Sequence, residues 1–307
     1  MAKKPRLTSN KLLLSLVLGV SSFSLVLGMG LILAPKQYLP PKRLPPMIQS
    51  VAAAVPPTNT AQTKTLPPPP AVLAAQTAPQ TPSVVMTGIP ILMYHYVGNN
   101  PNPKDKARYA LSVSPDQFEA QMAYLSQNGY TTISLDTLYA IFNKQSAKPA
   151  KPIVLTFDDG YIDFYYNAFP ILSKYHLSAV EFIPTGLVGK PAYMTWDMIK
   201  QIQGSGLVTF EAHTVNHTNL TSVAYQQVLT ELQTSKNDLA KQTGYPVNFI
   251  AYPYGSVNNA VVAAAVKFGF VGGLGTWLSR ATGPSMVMPR IRINGSLSLA
   301  NFIAKVR

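Results

Sequence analysis

The chain has 307 residues, of which 47% are hydrophobic and only 12% are charged, so a wholly disordered protein is excluded and one or two folded domains are expected. It contains no cysteine, which excludes disulfides, thiolate metal sites and a cysteine nucleophile and leaves four histidines and twelve acidic residues as candidate metal ligands. The net charge of +13 is concentrated near the N-terminus, where residues 1–64 hold eight basic and no acidic residues, and this distribution does not indicate a nucleic-acid-binding face.

The first predicted element is a hydrophobic segment that runs from Leu12 to Ala34 without a charged residue. Its 23 residues would span roughly 30 Å as a helix, the thickness of a membrane's hydrocarbon core. Four basic residues precede it and favour a cytoplasmic N-terminus, although three that follow weaken the asymmetry. Secretion after signal cleavage is the alternative, but a signal peptide's apolar region is usually about 7–15 residues long, and Pro35 is a poor cleavage context. We expect residues 1–34 to be a cytoplasmic stub and single-pass membrane anchor, with the remaining chain extracytoplasmic.

A proline-rich segment follows over residues 35–86 and holds 13 of the 27 prolines. Ala, Thr and Gln make up most of the rest, so the segment cannot bury enough apolar surface to fold and favours polyproline II conformation. At about 3.1 Å per residue, such a segment could reach up to roughly 160 Å. We interpret it as a disordered linker that holds a domain away from the membrane.

The remaining residues, 87–307, alternate short apolar runs with amphipathic stretches. The predicted strands are Ile89–Tyr94, Thr131–Ser134, Ile153–Phe157, Val180–Ile183, Val208–Ala212, Phe249–Tyr252, Gly269–Gly273 and Val287–Ile293. The predicted helices are Pro115–Gln127, Leu135–Asn143, Tyr161–Tyr175, Thr195–Gln203, Ala224–Gln242, Asn258–Lys267 and Ser298–Val306. This alternation predicts an α/β domain with a parallel sheet, either open or closed into a barrel.

Two adjacent carboxylates, Asp158 and Asp159, follow the predicted strand Ile153–Phe157. In parallel α/β folds, functional residues cluster at the carboxyl ends of strands. Because adjacent side chains point in different directions, one carboxylate could bind a metal while the other abstracts a proton. Asp-Gly pairs also form ordinary turns, so this motif alone does not identify a site.

Two histidines, His213 and His217, follow the apolar run Leu207–Phe210. Their spacing would place both imidazoles on one side of a helical turn. Two histidines and one carboxylate leave coordination positions open, as catalytic zinc requires. Glu211 is not the base of a zinc-protease helix, because that motif has its Glu directly after the first His, where Thr214 stands. Together with the aspartate pair, the two histidines predict a metal site.

Two more strand ends carry candidate residues. The turn Tyr252-Pro-Tyr-Gly255 could present a backbone N–H as an oxyanion donor, although an ordinary turn is the simpler interpretation. His95 ends the first predicted strand, where a histidine is about as often a satisfied core residue as a functional one. His176 lies at a predicted helix end, and we interpret it as structural.

These motifs together resemble the polysaccharide deacetylases of carbohydrate esterase family 4. Thr156-Phe-Asp-Asp-Gly160 is similar to the family's first motif, His213-Thr-Val-Asn-His217 to the second and Tyr252-Pro-Tyr-Gly255 to the third. The resemblance covers about residues 88–307. It implies a distorted (β/α) barrel with fewer than eight strands, and hydrolysis of N-acetyl groups on a sugar polymer. It also implies a divalent metal, with zinc expected and cobalt or nickel as alternatives.

The resemblance also implies roles for individual residues. Asp159, His213 and His217 would hold the metal, and Asp158 would be the general base that acts on the attacking water. The backbone N–H of Tyr254 would help to bind the oxyanion.

The chain departs from the family pattern in two places. No arginine precedes Pro253 in the third motif, and no histidine follows His217 to supply the general acid; Pro289-Arg-Ile-Arg-Ile293 stands where that histidine is expected. The combination resembles the branch that deacetylates poly-β-1,6-N-acetylglucosamine in biofilm matrices, in which an early Met-Tyr-His segment supplies the acid. Met93-Tyr-His95 is similar to that segment, so the resemblance implies that His95 protonates the leaving amine.

Aromatic residues near these motifs are candidates for the substrate groove. Tyr254, Pro253 and Trp277 are the predicted substrate-binding residues, and Trp196 is a further candidate. For the two tryptophans, simple packing is a slightly better interpretation than sugar stacking.

The leading hypothesis is a membrane-anchored, extracytoplasmic, metal-dependent deacetylase of an N-acetylglucosamine-containing polymer, such as poly-N-acetylglucosamine or peptidoglycan. The expected partners are this polysaccharide and the membrane, with a monomeric chain and no nucleic acid. Two alternatives remain open. The missing arginine and late histidine would suit a catalytically weak or inactive glycan-binding domain of the envelope. The basic region 1–64 would suit a structural protein that binds anionic polymers.

Overall fold

The structure is a computed structural model that describes residues 88–100, 102 and 104–307. The predicted anchor, residues 1–34, and the predicted linker, residues 35–86, lie outside these described residues. Within the described part of the chain, no helix combines the length and the apolar character needed to span a membrane.

The folded region contains short strands and helices in alternation. The strands are β1 (Ile91–Tyr94), β2 (Tyr96–Val97), β3 (Ser112–Val113), β4 (Thr131–Thr132), β5 (Pro152–Asp158), β6 (Ala179–Ile183), β7 (Val208–Ala212), β8 (Phe249–Ala251), β9 (Gly272–Leu274) and β10 (Ile291–Arg292). The α-helices are α1 (Lys106–Leu111), α2 (Pro115–Gln127), α3 (Leu135–Phe142), α4 (Phe169–Lys174), α5 (Trp196–Gln203), α6 (Tyr225–Thr243), α7 (Asn259–Lys267) and α8 (Leu299–Val306).

The main sheet is parallel and curled. Seven strands follow the order β10-β1-β5-β6-β7-β8-β9, and β4 pairs with the start of β5. A single parallel bridge between Leu274 and Met288 links the β9 edge to the segment that enters β10. The N–H of Met288 donates to the carbonyl of Gly273 at 2.7 Å across this gap. The sheet therefore approaches a barrel, as the resemblance implied.

Most strands of this sheet, namely β1, β5, β6, β8 and β9, are buried along their whole length, as expected for a parallel sheet that is covered on both faces. All seven residues of β5 are buried. Leu155 and Phe157 join the larger core, which packs against the surrounding helices, whereas Val154 joins a smaller core with Phe249 and the inner residues of α3. The carboxyl ends of the strands thus form one edge of a rigid, well-packed scaffold.

Capping residues mark the ends of several helices. Ser114 and Gln117 form a reciprocal capping box at the start of α2, with Pro115 as its first residue. Thr195 caps α5 through the N–H of Met198. The long helix α6 ends at Gly244, whose φ of 75° is accessible to glycine at little cost.

Proline alters two of the predicted elements. The predicted helix 161–175 contains a π-helical turn, Phe164–Ala168, before α4, because Pro170 lacks the N–H that a regular helix needs at that position. The predicted strand 287–293 is reduced to β10, because Pro289 cannot donate to a strand ladder. The sequence patterns did not predict α1 or the parallel pair β2–β3.

Candidate active site

The predicted site residues meet at the carboxyl edge of the curled sheet. His95 follows β1, Asp158 is the last residue of β5, His213 follows β7 and Tyr252 follows β8. These residues line a cavity of about 420 Å³, together with Asp159 and others. The structure therefore brings together four segments that are widely separated in the sequence.

Asp159, His213 and His217 form a compact cluster with the donor set of a catalytic metal site. The Oδ1 atom of Asp159 lies 3.3 Å from Nε2 of His213 and 3.2 Å from Nε2 of His217. Their potential ligand atoms all lie within 4.8 Å of one another. Oδ1 of Asp159 is buried and lacks a hydrogen-bond donor among the described residues. A divalent cation fits this arrangement, because two imidazole nitrogens and one carboxylate oxygen are ligands that zinc accepts.

Neighbouring groups orient His213 and lower the pKa of Asp159, and both effects favour binding of a cation. Nδ1 of His213 lies 2.7 Å from the carbonyl oxygen of Ala251, so Nδ1 carries the proton and the Nε2 lone pair faces Asp159. Burial by itself raises the pKa of Asp159, but the two adjacent histidines outweigh burial and hold this pKa well below its ordinary value. Asp159 is therefore ionised at neutral pH.

The two histidines lie on a non-helical turn, so the expectation of a helical turn was wrong. Thr214 and His217 have φ values of 65° and 56°, in the left-handed region that a right-handed helical turn excludes. Asp159 and Tyr254 also have positive φ values, 80° and 60°. Non-glycine residues in this conformation cost about 1–3 kcal/mol each, so the surrounding structure must hold them in place.

Glu231 of α6 holds this histidine turn, and the sequence patterns did not reveal it. Its carboxylate is buried and accepts from the backbone N–H groups of Val215 at 2.7 Å and Asn216 at 3.0 Å. It also accepts from the Asn216 amide at 3.0 Å and the Thr218 hydroxyl at 2.8 Å. The available signal was a carboxylate among the inward-facing residues of an otherwise amphipathic helix, next to Leu232 and Val228.

Asp158 forms a bidentate ion pair with Arg290, which precedes β10. The two distances, from Nη1 to Oδ1 and from Nη2 to Oδ2, are both 2.7 Å. Burial raises the pKa of Asp158, but Arg290 outweighs it, with His213 contributing, so the pKa lies below its ordinary value. The third motif lacks an arginine, as noted, yet the fold supplies one from another segment. Its signal was the pair of arginines, Arg290 and Arg292, in the otherwise apolar run Val287–Ile293.

His95 lies on the other side of Asp158. Its Nε2 atom is 3.9 Å from Oδ2 of Asp158, and its Nδ1 atom is buried with no partner among the described residues. Burial lowers the pKa of His95, although the nearby aspartates oppose this effect. His176 lies exposed just after α4 and is not among the residues that line the cavity.

Glu181 of β6 supports the Asp-Asp-Gly turn. It is buried, and its Oε1 accepts the N–H of Gly160 at 2.9 Å. Burial, reinforced by repulsion from Asp158, raises the pKa of Glu181 well above its ordinary value. The raised pKa favours the neutral carboxyl, which adds no negative charge beside the two aspartates.

Of the predicted substrate-binding residues, Tyr254 has the clearest position. It lines the cavity, is 66% exposed, and packs edge-on against His217 with ring centroids 4.6 Å apart. Pro253 is buried in the same turn. Trp277 is partly exposed but is not among the residues that line the cavity. Trp196 is partly buried against the larger core, which agrees with packing.

An aromatic wall that the sequence patterns did not predict borders the cavity. The ring of Tyr161 stacks on Tyr96 at 3.9 Å and on Tyr193 at 5.3 Å between centroids. The guanidinium of Arg108, on α1, lies 4.3 Å from the centroid of the Tyr96 ring. These side chains come from separate segments of the chain, so only tertiary folding brings them together.

Comparison with known proteins identifies the family. A family model described as polysaccharide deacetylase matches residues 145–273, which include the Asp and His pairs. The structure of the Streptococcus pyogenes deacetylase PplD in complex with acetate matches with a TM-score of 0.66 and 32% identity, covering 73% of this chain and 100% of that one. The chain belongs to the polysaccharide deacetylase family. It is thus a hydrolase by membership, and its matched segment carries the two aspartates and two histidines of the predicted site.

Two curated relatives extend this assignment. A Bacillus subtilis protein named as a polysaccharide deacetylase is 29% identical over 220 residues, which cover 71% of this chain and 76% of the relative. A Staphylococcus aureus poly-β-1,6-N-acetyl-D-glucosamine N-deacetylase is 32% identical over 176 residues, which cover 52% of this chain and 60% of the relative. The chain thus spans less than two thirds of the length of the staphylococcal enzyme.

Proposed function

We propose that this polysaccharide deacetylase removes N-acetyl groups from an N-acetylglucosamine-containing polymer with the help of a divalent metal. The observation that carries the proposal is the Asp159, His213 and His217 cluster, which lies in one cavity with Asp158 and His95. The cluster supplies the ligands for a cation, and the two other side chains supply a base and an acid.

The proposed cation is zinc, with cobalt or nickel as alternatives, since two imidazoles and a carboxylate suit all three. When bound, a divalent cation polarises the acetyl carbonyl and makes a water molecule more acidic. The remaining steps belong to side chains of the chain itself.

Asp158 is the proposed general base. It is ionised because of Arg290, which binds both carboxylate oxygens and fixes the plane of the carboxylate. Asp158 takes a proton from the attacking water, and the N–H of Tyr254 helps to stabilise the negative charge that develops on the carbonyl oxygen. His95, next to Asp158, then protonates the nitrogen as the C–N bond breaks, so that acetate and a free amine leave.

The substrate proposal follows from the relatives and the shape of the site. A relative is named for activity on poly-β-1,6-N-acetyl-D-glucosamine, which makes this polymer the first candidate, with peptidoglycan as the second. Tyr254, Tyr96 and Tyr161 line the cavity, where they suit contacts with sugar rings, and Tyr193 stacks on Tyr161 behind them.

The proposed cellular setting comes from the sequence. A single-pass anchor in residues 1–34, followed by the proline-rich linker 35–86, would place a monomeric catalytic domain, residues 87–307, outside the cytoplasm and within reach of an envelope polymer. Secretion after cleavage is the alternative arrangement.

The deciding experiment measures acetate release by the full chain from poly-N-acetylglucosamine, chitin oligomers and peptidoglycan. Each assay is run after chelation and again after addition of zinc or cobalt. We expect release that stops on chelation and returns with metal. The Asp158→Asn variant should bind metal without turnover, whereas His213→Ala should bind metal at least about tenfold more weakly. Full activity in both variants contradicts the site. Tight polymer binding without any acetate release favours the glycan-binding alternative.

A further inference from the structure

A second cavity, of about 330 Å³, lies at the end of the fold opposite the candidate active site. Pro152, the first residue of β5, lines it, whereas Asp158 at the other end of β5 belongs to the active site. At about 3.3 Å per residue, these two positions are roughly 20 Å apart. The second cavity therefore has no part in the deacetylation chemistry.

Positive charge dominates this second cavity. Lys148, Lys151, Arg280 and Arg307 line it, and no acidic side chain does. None of the four forms an ion pair with another described residue. Residues 1–87 contain no Asp or Glu, so that part of the chain has no acidic side chain to offer. The fold thus gathers four cations with no acidic side chain among the lining residues, and this concentration of positive charge favours binding of an anion.

Arg280 is the buried member of the group. It is only 9% exposed, its Nη2 donates to the carbonyl of Lys305 at 3.1 Å, and its Nε is buried with no acceptor among the described residues. Burial lowers the pKa of Arg280, opposed only by Tyr130, and no described carboxylate lies within ion-pair distance of the guanidinium. A buried guanidinium with an unused donor is costly unless an external acceptor binds to it.

Aromatic residues complete the walls. The rings of Tyr124 and Tyr130 lie 6.1 Å apart between centroids, and both residues line the cavity. The ammonium of Lys151 lies 5.5 Å from the centroid of Tyr130 and donates to the carbonyl of Asn128 at 2.9 Å. These contacts hold the ammonium of Lys151 at the rim of the cavity, so part of the positive charge is already in place before an anion binds.

We propose that this cavity is an anion site that binds a phosphate group. A guanidinium offers a forked set of donors that matches phosphate oxygens, and lysines add point charges that a dianion can neutralise together. A monocarboxylate would leave most of the positive charge uncompensated. The phosphate belongs either to a soluble phosphoester or to a lipid headgroup, and the cavity admits both.

Calorimetric titration of the full chain in a neutral detergent tests this site. The probes are inorganic phosphate, glycerol 3-phosphate and the short-chain lipid dihexanoyl phosphatidylglycerol, each compared with chloride at equal ionic strength. The double variant Lys148→Gln/Lys151→Gln removes two exposed lysines of the cavity. Lys200→Gln/Lys241→Gln removes two exposed lysines elsewhere and serves as the matched control.

We expect at least one phosphate probe to bind, with affinity at least about tenfold weaker in the Lys148/Lys151 variant and unchanged in the control, since charged hydrogen bonds are worth about 1.5 kcal/mol or more. Arg280→Met should abolish binding, with its unfolding temperature measured to show that it still folds. Binding of the two soluble probes identifies a phosphoester site, and binding of the lipid alone identifies a headgroup site. If no probe binds, or if both lysine variants weaken binding equally, the proposal is wrong.

Discussion

Arg290 binds Asp158 through both terminal nitrogens, at 2.7 Å each, across 132 residues of sequence. The arginine is fully buried, its Nε donates to the carbonyl of Gly275 at 2.8 Å, and its Nη1 also reaches the hydroxyl of Thr156 at 3.1 Å. These bonds fix the guanidinium, which in turn fixes the orientation of the proposed base. Arg290 is therefore a positioning residue for Asp158.

Replacing Arg290 by lysine tests this relationship. Lysine keeps the charge but cannot bind both carboxylate oxygens, so we expect kcat to fall about tenfold or more while KM and metal affinity stay nearly unchanged. Steady-state acetate release and metal titration measure these quantities. An Arg290→Lys chain with native kcat and native unfolding temperature would show that the bidentate contact has no role in positioning the base.

The proposed role of His95 as the general acid is tested by comparing substrates with different leaving groups. The His95→Gln variant should lose at least about a hundredfold in acetate release from an N-acetylated sugar, because the departing amine then lacks its proton donor. Hydrolysis of an aryl acetate should be affected far less, since a phenolate leaves without protonation. The ratio of the two rates is the readout. Equal losses on both substrates would assign His95 to binding or structure instead of acid catalysis.

Glu231 is expected to control metal affinity without touching the metal. Glu231→Ala frees the N–H groups of Val215 and Asn216, so the turn that carries His213 and His217 should loosen and metal affinity should fall about 10–100-fold. The Glu231→Gln variant keeps part of the acceptor set. Its metal affinity should therefore lie between those of Glu231→Ala and the native chain. Competition with a chromogenic chelator measures the affinity.

A matched control for this variant is Glu119→Ala. Glu119 pairs with Lys174 at the surface and has no contact with the histidine turn. Its loss should leave metal affinity unchanged, because exposed ion pairs contribute little. Equal effects of the two substitutions would mean that Glu231 has no special connection to the site.

The raised pKa of Glu211 leads us to expect that the stability of the fold depends on pH. Its buried carboxyl accepts the N–H groups of Asn248 and Phe249 at 2.9 Å each, and burial raises its pKa from 4.5 to about 8. The folded chain thus holds this proton more tightly than the unfolded chain. The contribution of Glu211 to the free energy of unfolding is complete below pH 4.5 and is lost as the pH rises to about 8.

Urea unfolding of the native chain and of Glu211→Gln at pH 5 and pH 8 checks this. Glutamine keeps an acceptor oxygen but does not titrate, so the variant should lose less stability between these pH values, by up to about a few kcal/mol. Asp163 and Glu181, whose pKa values are also raised, titrate in both chains and cancel in the comparison. Identical pH slopes in the two chains would contradict a raised pKa for Glu211.

The predictions from local sequence patterns were accurate where local physics decides the outcome. Helix α2, Pro115–Gln127, and strand β7, Val208–Ala212, have the predicted bounds, since capping residues and apolar periodicity act over a few residues. The prediction of a helical turn at His213–His217 was wrong. Thr214 and His217 have positive φ values, and Glu231 of α6 holds the turn in this non-helical conformation. The anchor in residues 1–34, the linker and the extracytoplasmic location remain predictions.

The sequence by itself determined which residue types were available for the site. Two aspartates after one strand and two histidines after another had to meet, because the carboxyl ends of parallel strands share one edge of the sheet. Only the tertiary structure decided which distant groups would support them: Arg290 on Asp158, Glu231 under the histidine turn and Glu181 beneath Gly160. A local pattern can at most mark a charged residue in an apolar setting. It does not identify the partner, since each contact depends on the packing of segments that are separated by many residues, and that packing is set by the whole core.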